Sequence, residues 1–125
     1  MNVKNEKFYL GNYHKDAEKR QGWFVGHFIE KGSRKTDKVE IKYWKFKQGK
    51  TNHKKKIQSR STEITIILRG KIDGEVAGKR IKLKTGEYIV IPPKIVNNFP
   101  INTYEDVEGI TIKAPSIPGD KIEIK

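Results

Sequence analysis

One segment of the chain concentrates side chains that could bind a charged ligand. Between Glu40 and Glu63 there is no acidic residue, whereas the interval holds seven lysines and Arg60. His53 and three aromatic residues at 43–46 lie in the same interval. Ammonium and guanidinium groups form strong, charge-assisted hydrogen bonds with carboxylate and phosphate oxygens. The segment therefore favours an anionic partner, either a small molecule in a pocket or a polyanion on the surface.

The stretch E-I-T-I-I-L-R-G (63–70) predicts a strand that carries one carboxylate. The two-residue period of a strand places Glu63, Thr65 and Ile67 on the same face, which we expect to point inward. A buried carboxylate needs a partner, and a lysine from the preceding segment is the obvious one. The other face is also apolar, which favours packing against a second subunit in a homodimer, or else cover by a loop or by the N-terminal segment.

The stretch G-E-Y-I-V-I-P-P-K-I-V-N-N (86–98) predicts a short apolar strand that runs into a proline pair and stops at two asparagines. Pro92 and Pro93 preset a bend at little entropic cost. Two interpretations follow. The bend aims the Asn97 amide at a ligand, or Asn97 and Asn98 merely end the strand.

Strand-forming residues dominate the chain, and no convincing amphipathic helix is present. Only H-K-D-A-E-K-R-Q (14–21) predicts a helical turn. Many short strands separated by glycine or polar turns predict an all-β antiparallel sandwich, barrel or jelly roll, and 125 residues suit one domain. The predicted strands, which are rich in Ile, Val, Thr and aromatic residues, are 22–30, 39–47, 62–73, 79–83, 87–92, 107–114 and 121–125.

The two stretches with fixed polar positions resemble the two sequence motifs of the cupin superfamily. The first motif of that family ends in Glu, six residues and Gly, which Glu63 and Gly70 match. The second reads Gly, five residues and Pro, which Gly86 and Pro92 match, and then a histidine a few positions on. The resemblance covers residues 39–114.

This resemblance implies a particular architecture. Residues 22–125 are expected to form a cupin-type double-stranded β-helix, or jelly-roll barrel, with a pocket between its two sheets. Residues 1–21 are then an N-terminal arm or an edge strand. Members of the family are commonly dimeric, which agrees with the homodimer expected above.

The resemblance also implies that the usual metal-ligand histidines are missing. The histidine of the second motif falls at Asn97, and the paired histidines before the Glu fall near Lys56 and Gln58, so that only Glu63 of the usual set remains. Ammonium groups offer donors only, and amides are weak ligands for transition metals. His53 beside Glu63 would still bind a metal poorly. We therefore expect neither a metal nor another cofactor.

Lys, Gln and Asn in place of histidines turn a coordination site into a hydrogen-bonding, partly cationic one. The sequence therefore predicts metal-independent binding of a small anionic molecule, such as a sugar phosphate, a nucleotide or a nucleotide-sugar. No catalytic residue is assigned. The predicted ligand-binding residues are Tyr43, Lys45, His53, Lys56, Gln58, Arg60, Glu63, Thr65 and Asn97.

Two alternatives from other classes stay open. An enzyme like a sugar-nucleotide isomerase or epimerase needs a general acid and base, for which only His27, His53, Glu63 and the tyrosines qualify. Nucleic-acid binding would use the basic 42–60 segment and would weaken steeply with salt. It is not favoured, because the chain has 22 lysines and only 5 arginines, and arginine reads phosphate better.

The composition of the chain argues against several classes of protein. The net charge is +12, and the chain has no cysteine, which excludes thiol catalysis and disulfides. No stretch approaches the roughly 20 apolar residues of a membrane span, and the N-terminus lacks the apolar core of a secretory signal. We therefore expect a cytoplasmic protein with no membrane partner.

Overall fold

The computed structural model describes residues 7–51 and 53–124. This part of the chain forms one short helix, α1 (Tyr13–Asp16), one 3-10 turn (Glu18–Arg20) and eleven strands. Neither helical element is long or apolar enough to span a membrane. The strands are β1 (Trp23–Val25), β2 (Glu40–Phe46), β3 (Gly49–Lys50), β4 (Lys56–Gln58), β5 (Thr62–Arg69), β6 (Lys71–Val76), β7 (Lys79–Lys84), β8 (Tyr88–Ile91), β9 (Asn97–Thr103), β10 (Val107–Ala114) and β11 (Lys121–Glu123).

The strands form two antiparallel sheets that pack face to face. The first sheet has the order β1-β2-β10-β5-β8, and the second has the order β11-β4-β9-β6-β7, with β3 also paired to β9. At one end the inner faces bury an apolar core of Trp44, Ile67, Ile72, Phe99 and Val107. At the other end the inner faces carry charged and hydroxyl side chains, and there the sheets enclose a cavity.

The all-β prediction is confirmed, and each predicted strand overlaps an observed one. The predicted strand 62–73 divides at Gly70, which has φ 103° and where a Cβ would lie 2.6 Å from the Asp106 carbonyl oxygen. The helical turn predicted for 14–21 is also confirmed, by α1 and the 3-10 turn. Three strands were missed. They are β3, β4 and β9, which are either very short or rich in polar residues.

The prediction that the strand at 86–98 stops at the asparagines was wrong. The strand ends at Ile91, before the proline pair, and Asn97 begins β9. The misleading signals were the asparagines and the proline inside N-N-F-P-I-N-T, which argue against a central strand.

The N-terminal segment packs on the outer face of β2. Asn12 caps α1 through its side-chain oxygen, which accepts a hydrogen bond from the Lys15 backbone N–H at 3.3 Å. The rings of Tyr13 and His14 lie 4.8 and 4.9 Å from that of Tyr43. Ala17 is buried. This segment therefore covers part of the outer face of the first sheet.

Asp120 fixes the turn between β4 and β5 to the start of β11. Its carboxylate accepts hydrogen bonds from the backbone N–H groups of Arg60 (2.8 Å) and Ser61 (2.9 Å). Its carbonyl accepts a third from Ser59 N–H at 2.9 Å. The Ser61 hydroxyl donates in turn to the Pro115 carbonyl at 2.7 Å. These bonds position β4 and β11, each of which supplies a lysine to the cavity.

Replacing Asp120 with alanine should destabilise the fold, because the buried N–H group of Ser61 and the part-buried one of Arg60 lose a charged acceptor. The expected loss in the free energy of unfolding is roughly 2–4 kcal/mol. Urea unfolding followed by tryptophan fluorescence measures it. The control is Asp106→Ala, which removes an exposed carboxylate that accepts a single backbone hydrogen bond, from Gln48. If both variants shift the midpoint equally, the anchoring role of Asp120 is wrong.

Candidate functional site

A cavity of about 120 Å³ lies between the two sheets. Its walls combine aromatic rings with charged groups and hydroxyls. The first sheet contributes Trp23, Lys42, Trp44, Phe46, Glu63, Thr65, Thr111 and Lys113, and the second sheet with its loop contributes His53, Lys56, Phe99, Pro100 and Lys121.

Four lysines and one carboxylate give the cavity a formal charge of +3 (4 − 1). Lys113 lies directly opposite Glu63 in the β10–β5 ladder, and Lys42 lies opposite Thr111 in the β10–β2 ladder. The ammonium groups of Lys42 and Lys113 lie 5.5 and 5.2 Å from the centre of the Trp23 ring. These distances allow cation–π attraction to one shared ring.

Burial lowers the pKa values of three of these lysines. For Lys42, Lys56 and Lys113 the main cause is desolvation, which penalises the charged form. Neighbouring lysines lower each pKa further, whereas Glu63 raises all three. Glu40 and Asp120 also raise the pKa of Lys113, but all three pKa values stay lowered, so these carboxylates offset only part of the cost of gathering the ammonium groups.

Lys56 is the most buried of the four cavity lysines, with a relative exposure of 8%. Its ammonium donates a long hydrogen bond, 3.4 Å, to the Phe99 carbonyl. Beside it, His53 is exposed on one side, but desolvation where its ring meets the cavity and the nearby lysines lower the pKa of its imidazole to about 4. The His53 imidazole is therefore neutral near pH 7, and its ring contacts Phe46 edge-on at 5.5 Å between centres.

Hydroxyl groups form a polar wall on the first sheet. The Trp44 indole N–H donates to the Thr111 hydroxyl at 2.8 Å, and the hydroxyls of Thr111 and Thr65 are 3.3 Å apart. This chain of hydrogen bonds connects the apolar core at Trp44 with the cavity. It fixes the orientation of groups that a ligand would contact.

An outer groove of about 450 Å³ adjoins the cavity. The groove and the cavity share Phe46, His53, Lys56 and Lys121. The groove adds Lys50, Thr51, Lys54 and Glu123. A ligand larger than the cavity would therefore extend past Lys56 and His53 over a second basic surface.

Four of the residues predicted from the sequence line the cavity, namely His53, Lys56, Glu63 and Thr65. Glu63, Thr65 and Ile67 lie on the buried face of β5, as the strand period predicted. Gln58 and Asn97 are buried but do not line the cavity. Both amide atoms of Gln58, and the amide oxygen of Asn97, have no hydrogen-bond partner among the described residues.

The other three predicted residues face elsewhere. Tyr43 lies on the outer face of β2, where its hydroxyl donates to Glu108 at 2.6 Å and burial together with this bond raises its pKa to about 12. Lys45 follows on the same outer face, and Arg60 is exposed in the turn that Asp120 holds. On β2 the alternate residues, Lys42, Trp44 and Phe46, face the cavity instead.

Sequence reasoning missed Trp23, Lys42, Thr111, Lys113 and Lys121. The two-residue period of β2 offered one usable signal, because it places Lys42 and Trp44 on the same face. The sequence alone does not say whether this face lies inside. Lys113 and Lys121 lie outside the basic 42–60 segment, so only the strand pairing brings them to the site.

The donor set does not fit a divalent metal. Within the described part of the chain, no group of three His, Asp or Glu side chains is placed to hold an ion. The cavity presents one carboxylate and one imidazole among four lysines. Ammonium groups repel a cation and have no lone pair to donate when protonated. We therefore derive no chemistry through a metal.

Two comparisons with known proteins found no match. No protein-family model matches the chain. No curated protein matches it either.

Solved structures do match. A protein from Klebsiella pneumoniae with a double-stranded β-helix domain is 15% identical, with a TM-score of 0.62 over 72% of this chain and 77% of that one. A cupin protein from Bacteroides fragilis is 19% identical, with a TM-score of 0.55 over 70% and 72%. Pac13 from Streptomyces, solved with uridine, is 13% identical, with a TM-score of 0.59 over 71% and 70%. The chain therefore has a double-stranded β-helix fold, which is the fold that the resemblance at Glu63 and Gly86 implied.

Proposed function

We propose that the cavity binds a small anionic molecule without a metal ion. One observation carries this proposal, namely that four lysines from four different strands converge on one partly buried cavity that contains a single carboxylate. A structural role alone would be served by one lysine paired with Glu63. The surplus of positive charge needs a further negative partner, which a ligand would supply.

A bound anion would relieve the electrostatic repulsion among the cavity lysines, and this relief would contribute to the binding energy. Desolvation and mutual repulsion lower the pKa values of Lys42, Lys56 and Lys113. A bound carboxylate, sulfate or phosphate would accept charge-assisted hydrogen bonds from these groups and reduce their repulsion. Because the ammonium groups are held by two sheets, little of this energy would be lost in ordering them.

The size of the site restricts where each part of a ligand would lie. The cavity volume of about 120 Å³ is similar to that of about four water molecules in liquid water. A space of this size suits one anionic group and a few further atoms. The basic outer groove would hold the rest of a sugar phosphate, a nucleotide or a nucleotide-sugar. The similar Pac13 structure was solved with uridine, which supports the nucleoside part of such a ligand and not its anionic group.

Binding without turnover is preferred over an isomerase-like or epimerase-like activity. His53 and Glu63 line the cavity, but the lowered pKa of His53 makes its imidazole a weak base near pH 7. Nucleic-acid binding is disfavoured because Lys42 and Lys56 of the basic segment face the cavity rather than one continuous outer surface.

A homodimer is part of the same proposal. The outer face of β5 and β8 presents Leu68, Tyr88 and Val90, with exposures of 40%, 64% and 49%. Ile64 and Ile66 lie between them on the same face, and the N-terminal segment packs on the distant β2 instead. A chain of charge +12 repels its copies, so an uncharged face of this kind favours a symmetric contact.

Anion binding is tested on EDTA-treated protein by calorimetric titration with ribose 5-phosphate, uridine monophosphate and uridine. We expect saturable binding of the phosphorylated compounds at one site per chain, and little binding of uridine. Lys113→Gln should weaken binding by about 1.5–3 kcal/mol, since a charged hydrogen-bond donor is lost.

The matched control is Lys45→Gln on the outer face of the neighbouring strand. It removes the same charge and should change affinity only through a screened field effect. Thermal melting of both variants shows whether the fold is intact. Equal losses in the two variants, tight binding only after a metal is added, or binding of mixed oligonucleotides alone would contradict the proposal.

Dimerisation is tested by light scattering coupled to gel filtration. The wild-type chain should elute with the mass of a dimer, and Val90→Lys should give a monomer because it places a charge in the contact. Val96→Lys, at an exposed valine outside β5 and β8, should remain dimeric. A monomeric wild-type chain at micromolar concentration would remove the argument.

A further inference from the structure

Lys56 differs from the other lysines of the cavity in its partners. The ammonium groups of Lys42 and Lys113 lie over the Trp23 ring, which favours their charged forms. Lys121 is exposed on the edge strand β11. Lys56 is buried, faces no aromatic ring at such a distance among the described residues, and makes only the long hydrogen bond to the Phe99 carbonyl.

The surroundings of Lys56 shift its protonation equilibrium toward the neutral amine. Burial is the main cause of its lowered pKa; Glu63 acts against this shift, and the charges of Lys113 and Lys121 add to it. A desolvated lysine next to other cations is the arrangement that activates an amine as a nucleophile near neutral pH. The same neighbours would hold the anionic part of a substrate. Lys56 also lines both the cavity and the outer groove, so a ligand that enters from the groove would contact it.

We propose that Lys56 forms a reversible imine with a small anionic carbonyl compound, such as an oxo acid, bound in the cavity. The inference rests on the proposed anion binding. The carboxylate of the compound would contact Lys42 and Lys113, and its carbonyl carbon would lie next to the Lys56 amine. The cavity volume of about 120 Å³ matches a molecule of this size.

The step balances without an oxidant or reductant. The amine nitrogen attacks the carbonyl carbon, a C–N bond forms, and the carbonyl oxygen becomes a hydroxyl. This oxygen then leaves as water when the C=N bond forms. Starting from the ammonium form, the two protons of the water are the two that the nitrogen loses, and the product is a protonated imine. Glu63, the carboxylate that lines the same cavity, would move a proton between the nitrogen and the leaving oxygen.

Reductive trapping of the full-length chain tests this inference. The protein is incubated with pyruvate and sodium cyanoborohydride at about pH 7.5, and the adduct is counted by intact mass and located by peptide mapping. An ordinary surface lysine with a pKa near 10.4 is under about 1% neutral at this pH, so trapping at Lys56 should exceed that at any surface lysine by at least about tenfold. We expect one lysine adduct per chain, at Lys56, with protection by sulfate; an adduct of the N-terminal α-amine, which is partly neutral at this pH, is located by the peptide map and counted separately.

Two arginine variants separate the roles of charge and nucleophile. Lys56→Arg places a permanent cation at this position but cannot form this imine, so trapping should fall at least about tenfold, a larger factor than the change in sulfate affinity, which the other three cavity lysines still support. Lys55→Arg, at the exposed neighbour, should trap pyruvate as the wild-type chain does. Melting temperatures of both variants show that the fold is retained.

Several results would overturn the inference. These are adducts spread over surface lysines, an adduct at Lys42 or Lys113 instead, or undiminished trapping in Lys56→Arg. Normal sulfate binding without trapping would reject the imine and leave the proposed function standing. The absence of both binding and trapping would reject the proposed function, and the imine with it.

Discussion

The cost of bringing several ammonium groups into a partly desolvated space is the constraint on which the site depends. Like charges in a medium less polar than water repel strongly, and each also loses hydration. Glu63 offsets part of this cost, and the Trp23 ring offsets another part for Lys42 and Lys113. In the proposed function, binding of an anion would relieve the remainder. Such a pocket would attract anions, whereas the ligand groups of a metal site attract a cation.

Apolar packing elsewhere in the fold offsets the destabilising effect of this cavity. The apolar end packs Ile67, Ile72 and Phe99 between the sheets, and Gly109 allows the Trp44 ring to lie flat on β10, since a Cβ there would overlap the ring. Trp44 then donates to Thr111, so one residue joins the core to the cavity wall. The core and the site are therefore adjacent zones of the same two sheets, and strand pairing fixes the geometry of both.

The fold could be predicted from the sequence because the signals that indicate it are local. The spacing of Glu63, Gly70, Gly86 and Pro92 and the strand-rich composition are visible without tertiary information. Sequence reasoning failed at β4 and β9, where polar residues face inward and the usual alternation is lost.

The site was harder to predict for two physical reasons. A strand period says which residues share a face but not which face is buried, and Tyr43 and Lys45 were assigned to the wrong side of β2 for this reason. Lys113 and Lys121 reach the cavity through antiparallel pairing with β5 and β4, over separations of roughly fifty residues or more along the chain that no local pattern reports. Asn97 matched a motif position but lies in β9 outside the cavity lining.

The pH dependence of sulfate binding tests the central claim most directly, because sulfate does not titrate in this range. In the free protein the pKa values of Lys42, Lys56 and Lys113 are lowered from the ordinary 10.5, and a bound anion would raise them again. Between the free and bound values the complex holds more protons than the free protein. Calorimetry from about pH 7 to about pH 10, in buffers of different ionisation enthalpy, should therefore show proton uptake on binding and an affinity that falls as pH rises. An affinity that stays constant over this range, or protons released on binding, would contradict the account.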